Sequence, residues 1–166
     1  MKPILVTALF GDADFAWLDG LRRAHYPPER NRVPAHLTLF HHLPPSIEGE
    51  LARRLGDMVR QEPPSARITR VMNLGNGTAF AVESSALEVM RADLADAFHG
   101  MLVPQDMAPW RPHVTIQNKV ETREARALQE RLAASFTPRP LKIAGLASWR
   151  YDGGPWEAIR RYPFRR

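Results

Sequence analysis

No cysteine occurs among the 166 residues, which removes disulfides, thiolate nucleophiles and cysteine-based zinc or iron–sulfur sites together. Chemistry must therefore come from histidine, carboxylates, hydroxyls or the backbone. Long apolar runs are also missing, and no stretch approaches the ~20 apolar residues of a membrane span. The segment from Met1 to Phe10 is apolar, but Gly11, Asp12 and Asp14 break it before a secretory-signal core is complete. A cytoplasmic location is the expectation.

What remains is ordinary in amount. The chain is 44% hydrophobic and 25% charged, a composition of soluble globular domains, and its length suits one domain with a real core. Its formal net charge of +5 favours anionic partners such as nucleotides or RNA. Arg160, Arg161, Arg165 and Arg166 crowd the C-terminus, where a solvated tail accounts for them.

Residues 3–10 read as a buried first strand. A helix follows, with Asp14 as a first-turn acceptor and Phe15, Leu18 and Leu21 on one face, until Pro27 and Pro28 stop it. Ala35 to Leu39 reads as a second strand, and Ser46 as the cap of a second helix carrying Ile47, Leu51, Leu55, Met58 and Val59. Residues 66–74 and 78–82 form a hairpin around Gly75-Asn76-Gly77. Ser85 and Glu88 have capping-box spacing before a third helix. Pro112 opens a strand with His113 and Thr115, Thr122 caps a fourth helix, and residues 141–149 and 156–164 close as a hairpin.

Each half thus reads strand, helix, His-x-Thr strand, helix, strand, with one further strand at the end. The order suggests an internal duplication, with approximate repeats 1–76 and 77–166 inside a single two-lobed domain spanning residues 1–166. Side chains two apart on a strand share a face, so His36 projects with Thr38 and His113 with Thr115. Leu37, Leu39, Val114 and Ile116 take the opposite, apolar faces. Six histidines and seven threonines placed at random would give only about 0.25 His-x-Thr triplets. The chain has two, in matching places.

Pseudo-symmetric lobes would bring both motifs to one cleft, with the set that phosphodiester cleavage needs. One neutral imidazole takes a proton from water and the other, protonated, supplies one to the leaving oxygen. The threonine hydroxyls donate to the non-bridging oxygens, where charge accumulates.

His36-Leu37-Thr38-Leu39 and His113-Val114-Thr115-Ile116 resemble the two signature tetrapeptides of the 2H phosphoesterase superfamily, which contains 2'-5' RNA ligases and RNA 2',3'-cyclic phosphodiesterases. The resemblance extends over nearly the whole chain in length and element order. It implies an α+β fold of two pseudo-symmetric lobes, with antiparallel sheets lining a central cleft and helices packed outside. It also implies metal-independent action, without a cofactor, on cyclic phosphates or 2'-5' linkages, carried by His36, Thr38, His113 and Thr115. Two departures stand out: Phe40-His41-His42 follows the first motif, and Gln117-Asn118-Lys119 follows the second, where members often have arginine. Lys119 neutralises phosphate but lacks the planar fork of arginine.

Further substrate-binding candidates are Arg111, as a phosphate ligand, and Tyr26 and Phe40, as stacking aromatics; Trp110 and Tyr151 are of the same kind. Phe40 ranks first among the aromatics because alternation from His36 and Thr38 turns it into the cleft. Regular alternation also points His41 away from His36 and His42, which speaks against a three-histidine metal site. The expected activity is opening of 2',3'-cyclic phosphates of RNA or nucleotide ends, with reversible 2'-5' joining, by a monomer with no membrane partner. Two rivals stay open: a non-catalytic RNA- or nucleotide-binding module of the same fold, and a phosphoesterase for a small non-RNA cyclic phosphate.

Overall fold

The computed structural model describes residues 1–165; Arg166, counted above among the C-terminal arginines, lies outside the described residues. Along the chain come β1 (Ile4–Phe10), α1 (Asp12–His25), β2 (Leu37–Leu43), α2 (Glu48–Met58), β3 (Ser65–Asn73), β4 (Thr78–Glu83) and α3 (Ser85–Ala97). Then follow α4 (Pro104–Met107), β5 (His113–Gln117), α5 (Thr122–Ser135), β6 (Arg139–Arg150) and β7 (Glu157–Pro163).

The long elements stand where periodicity places them, except that β2, expected over Ala35–Leu39, starts at Leu37, after His36, and runs on to Leu43; several caps also differ. Ser84, not Ser85, caps α3, accepting from the Leu87 N–H at 3.2 Å. Ser46 lies inside a 3-10 turn, Pro45–Ile47, that leads into α2. Thr122 is the first helical residue of α5, behind Glu121. Asp14 serves tertiary structure instead of a cap: its carboxylate accepts the Lys142 N–H at 2.8 Å and pairs with Arg139 at 3.3 Å. The short helix α4 has too few residues to show a period, so no local pattern in the sequence marks it.

All strand pairings are antiparallel, in the order β2-β1-β6-β3-β4-β5, with β7 also on β6. Exchanging β1 with β4, β2 with β5 and β3 with β6 maps this order onto itself, so the duplicated element order is also a symmetry of the sheet. The lobes are nevertheless not the two halves of the chain. The boundary between residues 76 and 77 falls in the β3–β4 turn, and β3 pairs with β4 while β6 pairs with β1. Each repeat therefore gives its third strand to the other lobe. The two meet at the centre, where the start of β6 pairs with β3.

This exchange leaves β2 and β5, the two motif strands, at opposite ends of the strand order, and the sheet curves so that they approach each other. Each presents an outer edge whose carbonyls need donors. Side chains supply them. Arg22 of α1 donates to the Thr115 carbonyl at 3.0 Å, Arg91 of α3 to that of Leu39 at 3.1 Å, and the Trp110 indole to that of Thr38 at 3.0 Å.

Beneath the motifs, Leu37, Leu39, Val114 and Ile116 are fully buried, each contributing about 1.5–3 kcal/mol by leaving water. Helix α1 packs on β5, and α3 and α5 on β3. At the foot of β5, Gly77 lies so close to the neighbouring backbone that a Cβ would stand 2.2 Å from the Gln117 carbonyl oxygen. The Gly-Asn-Gly turn therefore serves close packing as well as reversal of the chain.

Candidate active site

His36 ends the Pro-rich loop just before β2, and His113 opens β5 directly after Pro112. Each imidazole donates its Nδ1–H to the carbonyl two residues earlier: His36 to Pro34 at 2.8 Å and His113 to Arg111 at 2.7 Å. A carbonyl only accepts, so these bonds fix the proton on Nδ1 and leave Nε2 for a ligand in both rings. The two lobes thus present their histidines in the same tautomer.

His36, Thr38, His113 and Thr115 line one cavity of about 310 Å³, together with Leu5, His41, Arg91, Gln105, Asp106 and the segment from Ala108 to Arg111. Trp156, from the β6–β7 connection, closes the wall beside His36, with ring centroids 4.7 Å apart. Burial pushes the His36 imidazole down to about 4, against the Pro34 carbonyl, which favours the charged ring. The charges of Arg22, His113 and His41 add to the lowering. His36 is therefore neutral at pH 7, with an unprotonated Nε2.

The remaining candidates separate. Arg111 lines the cavity and is exposed. Tyr26 and Lys119 instead line a neighbouring pocket with Arg22, Arg30 and Arg32. Tyr26 is buried beneath the Arg22 guanidinium, 4.3 Å from its ring centroid, and Lys119 adopts a left-handed φ of 61° beyond β5.

Phe40 does not face the cleft. It is fully buried in the core, with the Arg91 guanidinium 4.5 Å over its ring. The reason is a bulge: Thr7 pairs with Thr38 but Val6 with Phe40, so Leu39 is an extra residue and the alternation slips by one. Leu39 and Phe40 are consecutive core residues, and His41, expected to point away, lines the cavity with His36 and Thr38.

Sequence reasoning missed four residues here. Arg91 bridges the Leu39 and Asp106 carbonyls, the latter at 2.7 Å. Asp106, on α4, accepts the backbone N–H of His41 at 2.9 Å, that of His42 at 3.0 Å, and Nδ1–H of His41 at 3.0 Å. Burial alone would raise the Asp106 carboxyl, but these bonds outweigh it and hold the group below its ordinary value, as a fixed anion. Trp156 is the third and His41 the fourth. No local pattern announces Arg91 or Asp106, which lie 52 residues from Leu39 and 65 from His41.

Among the described residues, no three or more His, Asp or Glu side chains gather at metal-ligand spacing, and no helix is long and apolar enough to cross a membrane. The arrangement suits proton transfer at a bound anion: two imidazoles in fixed tautomers, two hydroxyls, and arginines at the rim.

The chain is similar in structure to TT0787 of Thermus thermophilus, with a TM-score of 0.65 and 18% identity over 99% of this chain and 98% of that one. Similar too are Escherichia coli LigT complexed with 3'-AMP, at TM-score 0.61 and 15% identity over 99% of each chain, and a protein described as a phosphoesterase, at 0.58 and 15% over the full length of both. At such identities the likeness establishes the α+β, two-lobed fold. No curated protein matches at a significant level. The family model of the 2'-5' RNA ligase superfamily matches residues 10–155, which takes in both His-x-Thr motifs. The chain belongs to the 2'-5' RNA ligase superfamily.

Proposed function

We propose that the protein is a metal-independent phosphodiesterase that opens 2',3'-cyclic phosphates at RNA or nucleotide ends. The observation that carries this reading is the matched pair of imidazoles, each tied through Nδ1 to the carbonyl two residues earlier and each joined by its threonine at one cavity. Superfamily membership supports phosphodiester chemistry. The structural relative LigT has been crystallised with 3'-AMP, NADP+ and ATP, which supports a nucleotide as the ligand here.

The roles follow from charge. His36, held neutral by burial, takes a proton from the attacking water as the new P–O bond forms. His113 gives a proton to the ribose oxygen as the old P–O bond breaks, leaving a phosphomonoester. Thr38 and Thr115 donate to the non-bridging oxygens as charge collects there. His36 returns its proton to solvent and His113 regains one, which completes the cycle. In 2'-5' joining a 5'-hydroxyl takes the place of water and the two histidines keep these roles; in its reverse, cleavage of a 2'-5' linkage with re-formation of the cyclic phosphate, they exchange them.

Replacing His36 or His113 with alanine tests the assignment, with hydrolysis of 2',3'-cyclic nucleotides followed in chelator. Each variant should lose about 10²–10⁴-fold in kcat, the usual worth of a positioned acid or base, with its circular dichroism and melting intact. Full activity in either variant, or abolition of wild-type activity by chelator alone, refutes the proposal.

A further inference from the structure

We propose that His41 holds the phosphodiester immediately 5' to the reacting phosphate, so that the site takes an oligonucleotide end in preference to a mononucleotide. The inference rests on the nucleotide reading of the cavity and adds the substrate class.

Three observations carry it. The bulge at Leu39 places His41 on the cavity face behind Thr38, although strict alternation would not. A dedicated clamp then fixes the ring. Asp106, its side chain only 1% exposed, takes the backbone N–H of both His41 and His42 and the Nδ1–H of His41, and Arg91 ties the Asp106 carbonyl to β2. A buried carboxylate spent on one imidazole orients it as closely as the carbonyls orient His36 and His113. Nε2 is the nitrogen left for a ligand, on a side chain that is 40% exposed.

Position supplies the third argument. His41 lines both the catalytic cavity and the groove that continues it, a boundary it shares with Leu5, Gln105 and Trp156. Beyond the boundary, Tyr151 lines the groove with Val103, Pro104 and the carboxylate of Asp152, and Trp156 reaches into it from the shared wall. A polar threshold followed by an aromatic groove matches the alternation of phosphate and base in a nucleic acid strand, and bases stack on such faces whatever their identity. Arg91 and Arg111 give the cavity side of the threshold positive charge. With Nδ1–H committed to the Asp106 anion, a proton on Nε2 makes the ring a cation balanced from behind, and this form donates to a phosphate oxygen.

The test uses inert product analogues, so that it does not depend on turnover. Wild-type protein is titrated calorimetrically with 3'-AMP and with the dinucleotide ApAp, which carries a 3'-phosphate and one internal phosphodiester. The expected result is ApAp binding tighter by at least about tenfold, the usual worth of one charge-assisted hydrogen bond, with stacking of the added base adding to it. His41→Asn keeps a group at the Nδ1 position for Asp106 but deletes Nε2, and should lower the ratio about tenfold. His41→Gln, which returns an amide near the Nε2 position, should recover part of it.

Equal wild-type binding of the two ligands overturns the proposal. So does a ratio that survives in His41→Asn, or an equal loss for both ligands, which is the mark of a merely structural role. Hydrolysis of 2',3'-cyclic AMP is measured separately. If the ratio behaves as expected while no cyclic phosphate is opened, the subsite stands and the proposed activity falls.

Discussion

The depressed titration of His36 has a consequence that a pH profile reads directly. A general base with a value of about 4 is ~97% neutral at pH 5.5, whereas the ordinary 6.5 would leave it only ~9% neutral. Between pH 7 and 5.5, kcat/KM for a 2',3'-cyclic nucleotide should therefore fall by only a few per cent on account of this group, instead of about eightfold. The main cause is burial, and Trp156 is the aromatic wall, 4.7 Å from the ring by centroid. Trp156→Ala should admit water and move the acid limb up toward 6.5. The assay is initial rate at low substrate in constant-ionic-strength buffers from pH 3.5 to 8, since kcat/KM reports the free enzyme. The same shift has a stability side. Between 6.5 and 4 the unfolded chain binds a proton that folded His36 refuses, so stability falls as pH drops through that window and this contribution levels off below it. The loss reaches ~3 kcal/mol before solvent screening at the ring's partly exposed edge is counted. A wild-type acid limb between pH 6 and 7 refutes both the burial argument and the assignment of His36 as base.

Thr38→Val and Thr115→Val should each lower kcat by about 10²-fold with KM changed much less, because the hydroxyls are assigned to charge that grows in the transition state; a rise in KM at constant kcat contradicts that role. Gly77→Ala should cost about 3 kcal/mol or more, since the added Cβ meets the Gln117 and Asn118 backbone at 2.2 and 2.7 Å. That loss lowers the thermal midpoint by ~6–12 °C for a chain of this size. A midpoint within one degree of wild type shows that the turn relaxes freely.

Much of the fold is legible in the sequence because it rests on local signals. Apolar alternation in Leu37, Leu39, Val114 and Ile116 gives the buried faces of the motif strands, and helical spacing of Leu87, Met90 and Leu94 gives the inner face of α3. The duplicated order of elements is legible for the same reason. The Gly75-Asn76-Gly77 turn announces that β3 pairs with β4. Its other neighbour is decided at long range, and nothing within Ser65–Asn73 records that this is β6 and not β1. The caps fail in a different way: Asp14 has good capping chemistry, but the Lys142 backbone and Arg139 compete for the same carboxylate and win.

The site divides along the same line, and the bulge in β2 marks where. Up to Thr38, period-two alternation holds and names the cavity-facing side chains. One extra residue then reverses the facing, sending Phe40 into the core and His41 to the cavity, before a second register shift between Phe40 and Leu43 returns Leu43 to the core. A bulge has no strong signature when, as in Leu-Thr-Leu-Phe-His-His-Leu, either register buries plausible apolar side chains. The register is settled by groups outside the strand. Arg91 takes the Leu39 carbonyl and covers the Phe40 ring, Trp110 takes the Thr38 carbonyl, and Asp106 takes the His41 and His42 amides. Three side chains from α3, α4 and the loop before β5 thus fix the edge of β2, and the same three line the cavity. The devices that cap an otherwise exposed sheet edge are also those that shape the site, so the first motif's orientation depends on residues from the second repeat.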